Sequence, residues 1–131
     1  MAISFDKALG IHQHSMGVRA ERAEVLSSNI ANADTPGYKA RELDFEQALA
    51  GATQRQSFGL SRSHDKHFDV NIDPQPGLLY RTPMHPDTGD GNTVDLQTER
   101  NMFMQNTLEY QMSLGFLDGK FAGMKKAIRG D

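Results

Sequence analysis

The residues of this 131-residue sequence that most readily suggest chemistry are its five histidines. His64 and His67, with acidic neighbours, have a spacing that would place two imidazoles on one face of a helix, as a zinc site needs. The surrounding sequence is a poor helix former, and no Glu stands where a metalloprotease motif requires it. His12 and His14 point to nearly opposite faces of a helix and cannot form a ligand pair there. The pattern favours solvated histidines over a metal site.

Other catalytic and binding motifs are also missing from the sequence. The acidic stretch 87–99 resembles a calcium loop in composition only, because Gly89, Gly91 and Thr98 stand where ligands are needed. The chain has no cysteine, which excludes a disulfide scaffold, a thiolate zinc site and a cysteine nucleophile. Neither a phosphate-binding glycine loop nor a G-x-S-x-G motif is present. The sequence therefore predicts no catalytic residue, no cofactor and no metal.

Composition limits the remaining function classes. Lys and Arg number 14 against 17 Asp and Glu, so the formal charge of −3 argues against nucleic-acid binding through a basic field. No apolar run reaches the roughly 18 residues of a membrane span, and the first residues lack the pattern of a cleaved signal peptide. The apolar residues gather in two terminal blocks, 1–50 and 93–128, around a polar middle. We expect one structural domain whose core is completed by assembly, with no direct membrane insertion.

The C-terminal block, 93–131, has the pattern of a long coiled-coil helix. Apolar residues recur every seven positions, and a second series follows four residues later, which is the 3–4 spacing of a coiled-coil seam. Asn92 or Thr93 is the expected N-terminal cap, and Gly130 is expected to end the helix. The predicted seam residues are Leu96, Phe103, Tyr110, Leu114, Leu117, Phe121, Met124 and Ile128.

Three glycines, Gly115, Gly119 and Gly123, lie on one stripe of this predicted helix. Each costs about 1 kcal/mol relative to Ala in a helix interior. One interpretation is a helix that frays or bends locally. The other is close approach of a second backbone, as small residues at this spacing permit. The cost of three such positions favours close packing.

The N-terminal block, 1–33, predicts a second helix with two apolar faces. A second series, at Ile11, Val18 and Val25, indicates either another packing partner or scattered exposed aliphatic residues. We expect the two terminal helices to pair as an antiparallel coiled-coil hairpin, which makes the fold mainly α. The predicted seam residues of the N-terminal helix are Leu9, Met16, Ala23, Leu26 and Ile30.

The middle segment, 34–92, is expected to hold a turn, a short amphipathic helix over 42–50, and an extended, partly β or irregular region. Residues 68–72 alternate as a half-buried strand does, and Leu78–Tyr80 is a second short apolar run. Residues 74–77 are typical of a turn between them. A small hairpin and a structureless loop are both compatible with this pattern.

The junction between the first helix and the middle is the most distinctive stretch. Asn32 is expected to end the helix, because Asn tolerates the left-handed region. Thr35 precedes a proline and is pushed out of the helical region. Thr35, Pro36, Gly37 and Tyr38 suit a type II turn, with Pro second and Gly third. Tyr38 is expected to begin an extended piece.

This stretch resembles the N-terminal signature of the flagellar basal-body rod and hook family, and most closely its B-type proximal rod branch. The segments 91–96 and 124–130, which flank and end the last helix, are similar to the same family. The alternatives are the C-type proximal rod branch and a generic coiled-coil adaptor. The signature is Asn29, Ile30, Ala31 and Asn32, followed by Thr35, Pro36, Gly37, Tyr38 and Lys39.

The resemblance implies a structural subunit rather than an enzyme. Such a subunit polymerises around the export channel of the proximal rod and transmits torque from the motor to the hook. Its implied partners are other copies of itself, other rod proteins, the adaptor between rod and membrane ring, and the flagellar type III export apparatus. Its implied location is the periplasmic rod, reached without a cleaved signal peptide. Asn29 and Asn32 are expected to position the turn and to bond to neighbouring subunits.

Overall fold

The computed structural model describes residues 8–55, 77–83, 85 and 89–130. Three helices and two strands occur in this part of the chain, in agreement with the mainly α prediction. His64, His67, the expected strand at 68–72 and most of the turn at 74–77 lie outside the described residues. The elements in chain order are α1 (Ile11–Ala31), β1 (Arg41–Leu43), α2 (Phe45–Arg55), β2 (Leu78–Tyr80) and α3 (Leu96–Arg129).

Helices α1 and α3 pack along each other in opposite directions. The ring of His12 lies 5.9 Å from that of Phe116. Further along α1, the amide of Asn29 donates to Glu99, close to the start of α3. Residues further along α1 thus contact residues nearer the start of α3, so the predicted antiparallel hairpin is confirmed.

The side of α3 that faces α1 differs from the predicted seam. The series at Leu96, Phe103, Tyr110, Leu117 and Met124 is half-buried. The second series lies three residues after the first rather than four, and it is polar. Its members, all buried, are Glu99, Asn106 and Ser113.

The predicted second series of apolar seam residues was therefore wrong for the hairpin of a single chain. Leu114, Phe121 and Ile128 are 48%, 46% and 87% exposed. Hydrophobicity favours a second series that lies four residues after the first. Polar partners on α1 instead favour the series three residues after the first. The side chain of Arg19 donates to the Ser113 hydroxyl, and the Arg19 carbonyl accepts from the Asn106 amide.

Helix α1 begins later than expected and uses both of its apolar faces. Gly10 has a φ of 60° and separates Leu9 from the helix. Leu26 is buried, while Met16, Ala23 and Ile30 are partly buried. Val18, from the second series, packs in a cluster with Leu43 and Ala48. The second partner of α1 is thus another part of the same chain, although Ile11 stays half exposed.

The caps of α3 match the prediction at one end only. Asp95 caps the start, because its side chain accepts from the backbone N–H groups of Gln97 and Thr98. The prediction of Asn92 or Thr93 was wrong, and both residues are engaged elsewhere. At the other end, Gly130 adopts the left-handed conformation expected of a terminating glycine, with a φ of 77°.

The two strands form a small antiparallel sheet across the junction. Arg41 pairs with Tyr80 and Leu43 with Leu78. The apolar run 78–80, for which a small hairpin and a structureless loop were both compatible, forms a strand, and its partner in the described residues is β1. The expected helix over 42–50 begins instead at Phe45. Asp44 caps it, because its side chain accepts from the backbone N–H groups of Glu46 and Gln47. Leu43 consequently belongs to the strand.

Candidate functional site

The junction is a tight turn that reverses the chain after α1. Gly37 has a φ of 74°, and the N–H of Tyr38 donates to the Thr35 carbonyl at 3.2 Å. A positive φ at the third position is what a type II turn requires. Asn32 ends α1 at the expected place but with a φ of −101°, so the expected left-handed conformation was wrong. Its side chain reaches back and donates to the Ser28 carbonyl at 2.8 Å.

Asn29 is fully buried between the turn, β1 and α3. Its Nδ2 donates to the Arg41 carbonyl at 2.7 Å and to Glu99 Oε2 at 3.0 Å. Its Oδ1 accepts from the Arg41 N–H at 3.0 Å and from the Tyr38 hydroxyl at 3.3 Å. One amide therefore satisfies both backbone groups of a strand residue and holds that strand against two helices. A fully enclosed side chain cannot bond a neighbouring subunit, so that expectation for Asn29 was wrong.

Asn92 holds the turn from the other side, a role that the sequence prediction missed. Its Nδ2 lies 2.7 Å from the Ala33 carbonyl oxygen, and 3.0 Å from those of Asn32 and Thr35. Three carbonyls that the helix end leaves without a helical donor thus share one amide group. The signal lies in the segment 91–96, whose residue types also suit a helix start.

Residues beside Asn92 continue this contact along the chain. The hydroxyl of Thr93 accepts from the Ala40 N–H at 2.8 Å, and its own N–H donates to the Tyr38 carbonyl at 3.0 Å. Lys39 Nζ donates to the Gly91 carbonyl at 2.6 Å. We call the set formed by residues 29–41 and 90–99 the junction clasp. It joins the N-terminal and C-terminal halves of the chain.

A buried charge pair anchors the second strand to the same clasp. Glu99 is fully buried and forms an ion pair with Arg81 Nη1. Arg81 Nε also contacts Glu42 at 3.2 Å. The backbone N–H of Arg81 donates to the Ala40 carbonyl at 2.9 Å. Removing Arg81 would leave the Glu99 carboxylate buried without its ion-pair partner, which is strongly destabilising, whereas Arg81 would keep its contact with Glu42 if Glu99 were removed.

A second polar cluster lies midway along the helix pair. The Arg19 guanidinium forms an ion pair with Glu109, donates to Ser113 at 3.2 Å, and stacks 4.6 Å from the centre of the Phe45 ring. Burial acts to raise the pKa of Glu109, but the hydrogen bond from Gln105 and the positive charge of Arg19 outweigh it, so that pKa lies below its ordinary value. One arginine therefore ties α1 to both α2 and α3.

The outward side of α3 carries large apolar side chains that the rest of the chain leaves exposed. The glycine stripe lies on this outward side too. A Cβ placed on Gly115, Gly119 or Gly123 would meet nothing within 4 Å. The close packing expected along the stripe is therefore absent among the described residues of the chain. The exposed side chains of this face are Met104, Leu108, Met112 and Phe116.

The described residues were also compared with the requirements of a metal site and of a membrane span. No group of three or more His, Asp or Glu residues there is placed to hold a metal ion. None of the helices described is long and apolar enough to cross a membrane. The polar side chains of the junction clasp are occupied by backbone groups and by each other. They fix the geometry of a turn.

Comparison with known proteins agrees with this geometry. A family model described as flagella basal body rod protein matches residues 16–39, which include most of α1 and the whole turn. The flagellar basal body rod protein FlgB of Aeromonas hydrophila is 60% identical over 132 residues, covering 100% of this chain and 99% of the relative. The chain belongs to the flagellar basal body rod protein family.

More distant rod proteins match over the same extent. FlgB of Escherichia coli (strain K12) is 41% identical over 136 residues, covering 98% of each chain. FlgB of Cereibacter sphaeroides (strain ATCC 17029) is 41% identical over 128 residues, covering 97% of this chain and 98% of the relative. The similarity therefore includes the polar middle and both helical ends, and the resemblance drawn from the junction motif is confirmed.

Proposed function

We propose that this chain is a structural subunit of the proximal rod of the bacterial flagellar basal body. It polymerises around the export channel and transmits torque from the motor to the hook. The observation that carries the proposal is the full-length similarity to rod proteins named FlgB. Its location is the periplasmic rod, which it reaches through the flagellar type III export apparatus.

The exposed apolar surface supports a role in assembly. Monomeric proteins rarely expose contiguous apolar patches of more than a few hundred Å², and larger patches mark interaction sites. Met104, Leu108, Met112 and Phe116 follow one another at intervals of four along the outward side of α3. Neighbouring copies, other rod proteins and the adaptor to the membrane ring are the partners that cover such a face.

The junction clasp supports a mechanical role rather than an enzymatic one. Torque passes through a subunit only when its segments do not rotate against each other. Asn29 and Arg81 connect the helix pair to the strands and the segments beside them, and Asn92 connects the turn after α1 to the segment before α3. These contacts hold the segments at a fixed angle. A catalytic site would instead leave polar groups free to act on a substrate.

Deletion and complementation test the proposal directly. A strain that lacks the gene should form no rod, hook or filament beyond the membrane ring, and the full chain supplied from a plasmid should restore them. The chain should also co-purify with isolated basal bodies. Normal motility in the deletion strain would refute the proposal. Purified chain that forms a defined small oligomer, rather than staying monomeric until it polymerises, would favour the adaptor alternative.

A further inference from the structure

A small surface cavity opens beside the junction clasp, between α1 and the two-stranded sheet. Its volume is about 160 Å³. Its apolar walls come from Val25, Leu43 and Leu78. A cavity of about 150 Å³ accepts a benzene molecule, so this one has room for one aliphatic side chain.

The rim of the cavity is predominantly acidic. Glu21 and Glu24 line it, and both are exposed and form no ion pair with any described residue. Arg41 is the one positive residue of the lining, and its guanidinium lies 5.8 Å from the centre of the Tyr80 ring. The cavity thus suits an apolar side chain carried by a basic segment.

The C-terminal end of α3 has that chemistry. Ile128 is 87% exposed, the most exposed large hydrophobic side chain of the described residues. Lys125, Lys126 and Arg129 surround it and are exposed. Cations at the end of a helix are favoured by its dipole, which explains their position but leaves the isoleucine unexplained.

This helix end cannot reach the cavity of its own chain. Phe116 lies beside His12, and Ile128 is about 18 Å further along α3. Ser28, which lines the cavity, is about 24 Å from His12 in the opposite direction. The two surfaces of one chain are therefore about 40 Å apart, and only a second copy can bring them together.

We infer that the cavity binds the C-terminal end of α3 from a second copy of this chain, with Ile128 inside and its basic neighbours paired to Glu21 and Glu24. The inference rests on the proposed function and names one of the contacts by which the subunit assembles. The contact joins two different surfaces, so it is heterologous: each copy retains one free cavity and one free helix end. It extends into a ring or a helix and does not close as a two-fold dimer.

Disulfide trapping tests this contact, because the natural chain has no cysteine. The double variant Ser28→Cys with Ile128→Cys is expressed in place of the natural gene, and basal bodies are isolated under mild oxidation. A disulfide forms only between residues whose Cα atoms lie within about 7 Å. We expect a ladder of dimers and higher multimers on non-reducing gels. Reduction should return the monomer.

The matched control moves one cysteine by a single position. Ser27 is exposed and neighbours Ser28, but it lies about 100° further around α1 and does not line the cavity. The pair Ser27→Cys with Ile128→Cys should cross-link several-fold less. Equal cross-linking by both pairs would overturn the inference, as would dimers without higher multimers or a product joined to a protein of different mass.

Charge reversal supplies the second arm. Glu21→Lys with Glu24→Lys in the Ser28–Ile128 cysteine background should reduce the ladder several-fold, since like charges would then meet. Adding Lys125→Glu and Lys126→Glu should restore it. No loss, or loss without restoration, counts against the contact. Motility of the reduced cysteine variants and the presence of the chain in basal bodies report separately on the proposed function.

Discussion

Replacing Asn29 by Ala should destabilise the chain far more than its small size suggests. The truncation leaves the N–H and the carbonyl of Arg41 without partners, and a buried Glu99 oxygen loses a donor. A neutral hydrogen bond contributes about 1 kcal/mol and one to a charged group about 1.5–3 kcal/mol. The contact with the Tyr38 hydroxyl, at 3.3 Å, adds little. The expected loss is about 4 kcal/mol, which is a large part of the 5–15 kcal/mol typical of a native domain.

Urea unfolding of the purified chain, followed by far-ultraviolet circular dichroism, measures this loss. The slope of free energy against urea must stay equal between variants for the comparison to hold. Asn32→Ala is the matched control, since Asn32 is the same residue type three positions later in the same motif. Its side chain donates to the Ser28 carbonyl and accepts from the Thr35 hydroxyl at a partly exposed site, so we expect a loss of about 1 kcal/mol. Equal losses for the two variants would refute the reasoning that burial and the charged partner make Asn29 dominant.

Three further variants test the turn, the glycine stripe and the polar cluster of the helix pair. Gly37→Val should cost about 1–3 kcal/mol, because a β-branched residue is strained at a φ of 74°; unchanged thermal stability would contradict the turn assignment. Gly119→Ala should stabilise the isolated chain by about 1 kcal/mol, since its Cβ meets nothing, but should impair swimming if a neighbouring backbone packs there. If swimming is unaffected, the stripe is not a packing surface. Because the pKa of Glu109 is lowered, its contribution to stability is complete above about pH 4.5 and is lost as the pH falls through that pKa; thermal melts across this range should show Glu109→Gln to be less acid-sensitive than the natural chain.

The long helices follow from sequence periodicity, and their detailed packing does not. A seven-residue repeat predicts a helix and one side of its seam, and Leu96, Phe103 and Tyr110 lie on that side. The repeat does not determine whether the second series of the seam lies three or four residues after the first when one of these two series is polar. Hydrophobicity favoured Leu114, whereas the partners offered by α1 select Ser113. Such a choice depends on the facing helix, which no local pattern contains.

The junction shows the same division between local and distant causes. The turn at Thr35–Tyr38 is predictable because Pro and Gly each restrict their own backbone. The roles of Asn29 and Asn92 are not, because their partners lie up to 70 residues away in sequence. Asn92 is a suitable helix cap by residue type and position, but its side chain holds the turn, and Asp95 caps the helix. Sequence reasoning identified the motif through its resemblance to a family, but the structure shows what the motif does.

The polar character of the seam and the apolar character of the outer face are connected. A polar residue at a seam position fixes register and partner at a cost in stability. Here Glu99, Asn106 and Ser113 occupy the second series of the seam, so Leu114, one position after Ser113, stays exposed. A seam that used Leu114 in place of Ser113 would bury that leucine against α1, whereas Phe121 and Ile128 lie beyond the start of α1. Buried polar groups therefore specify the packing of the two helices. The apolar side chains on the outward side of α3 stay exposed, as the proposed assembly requires.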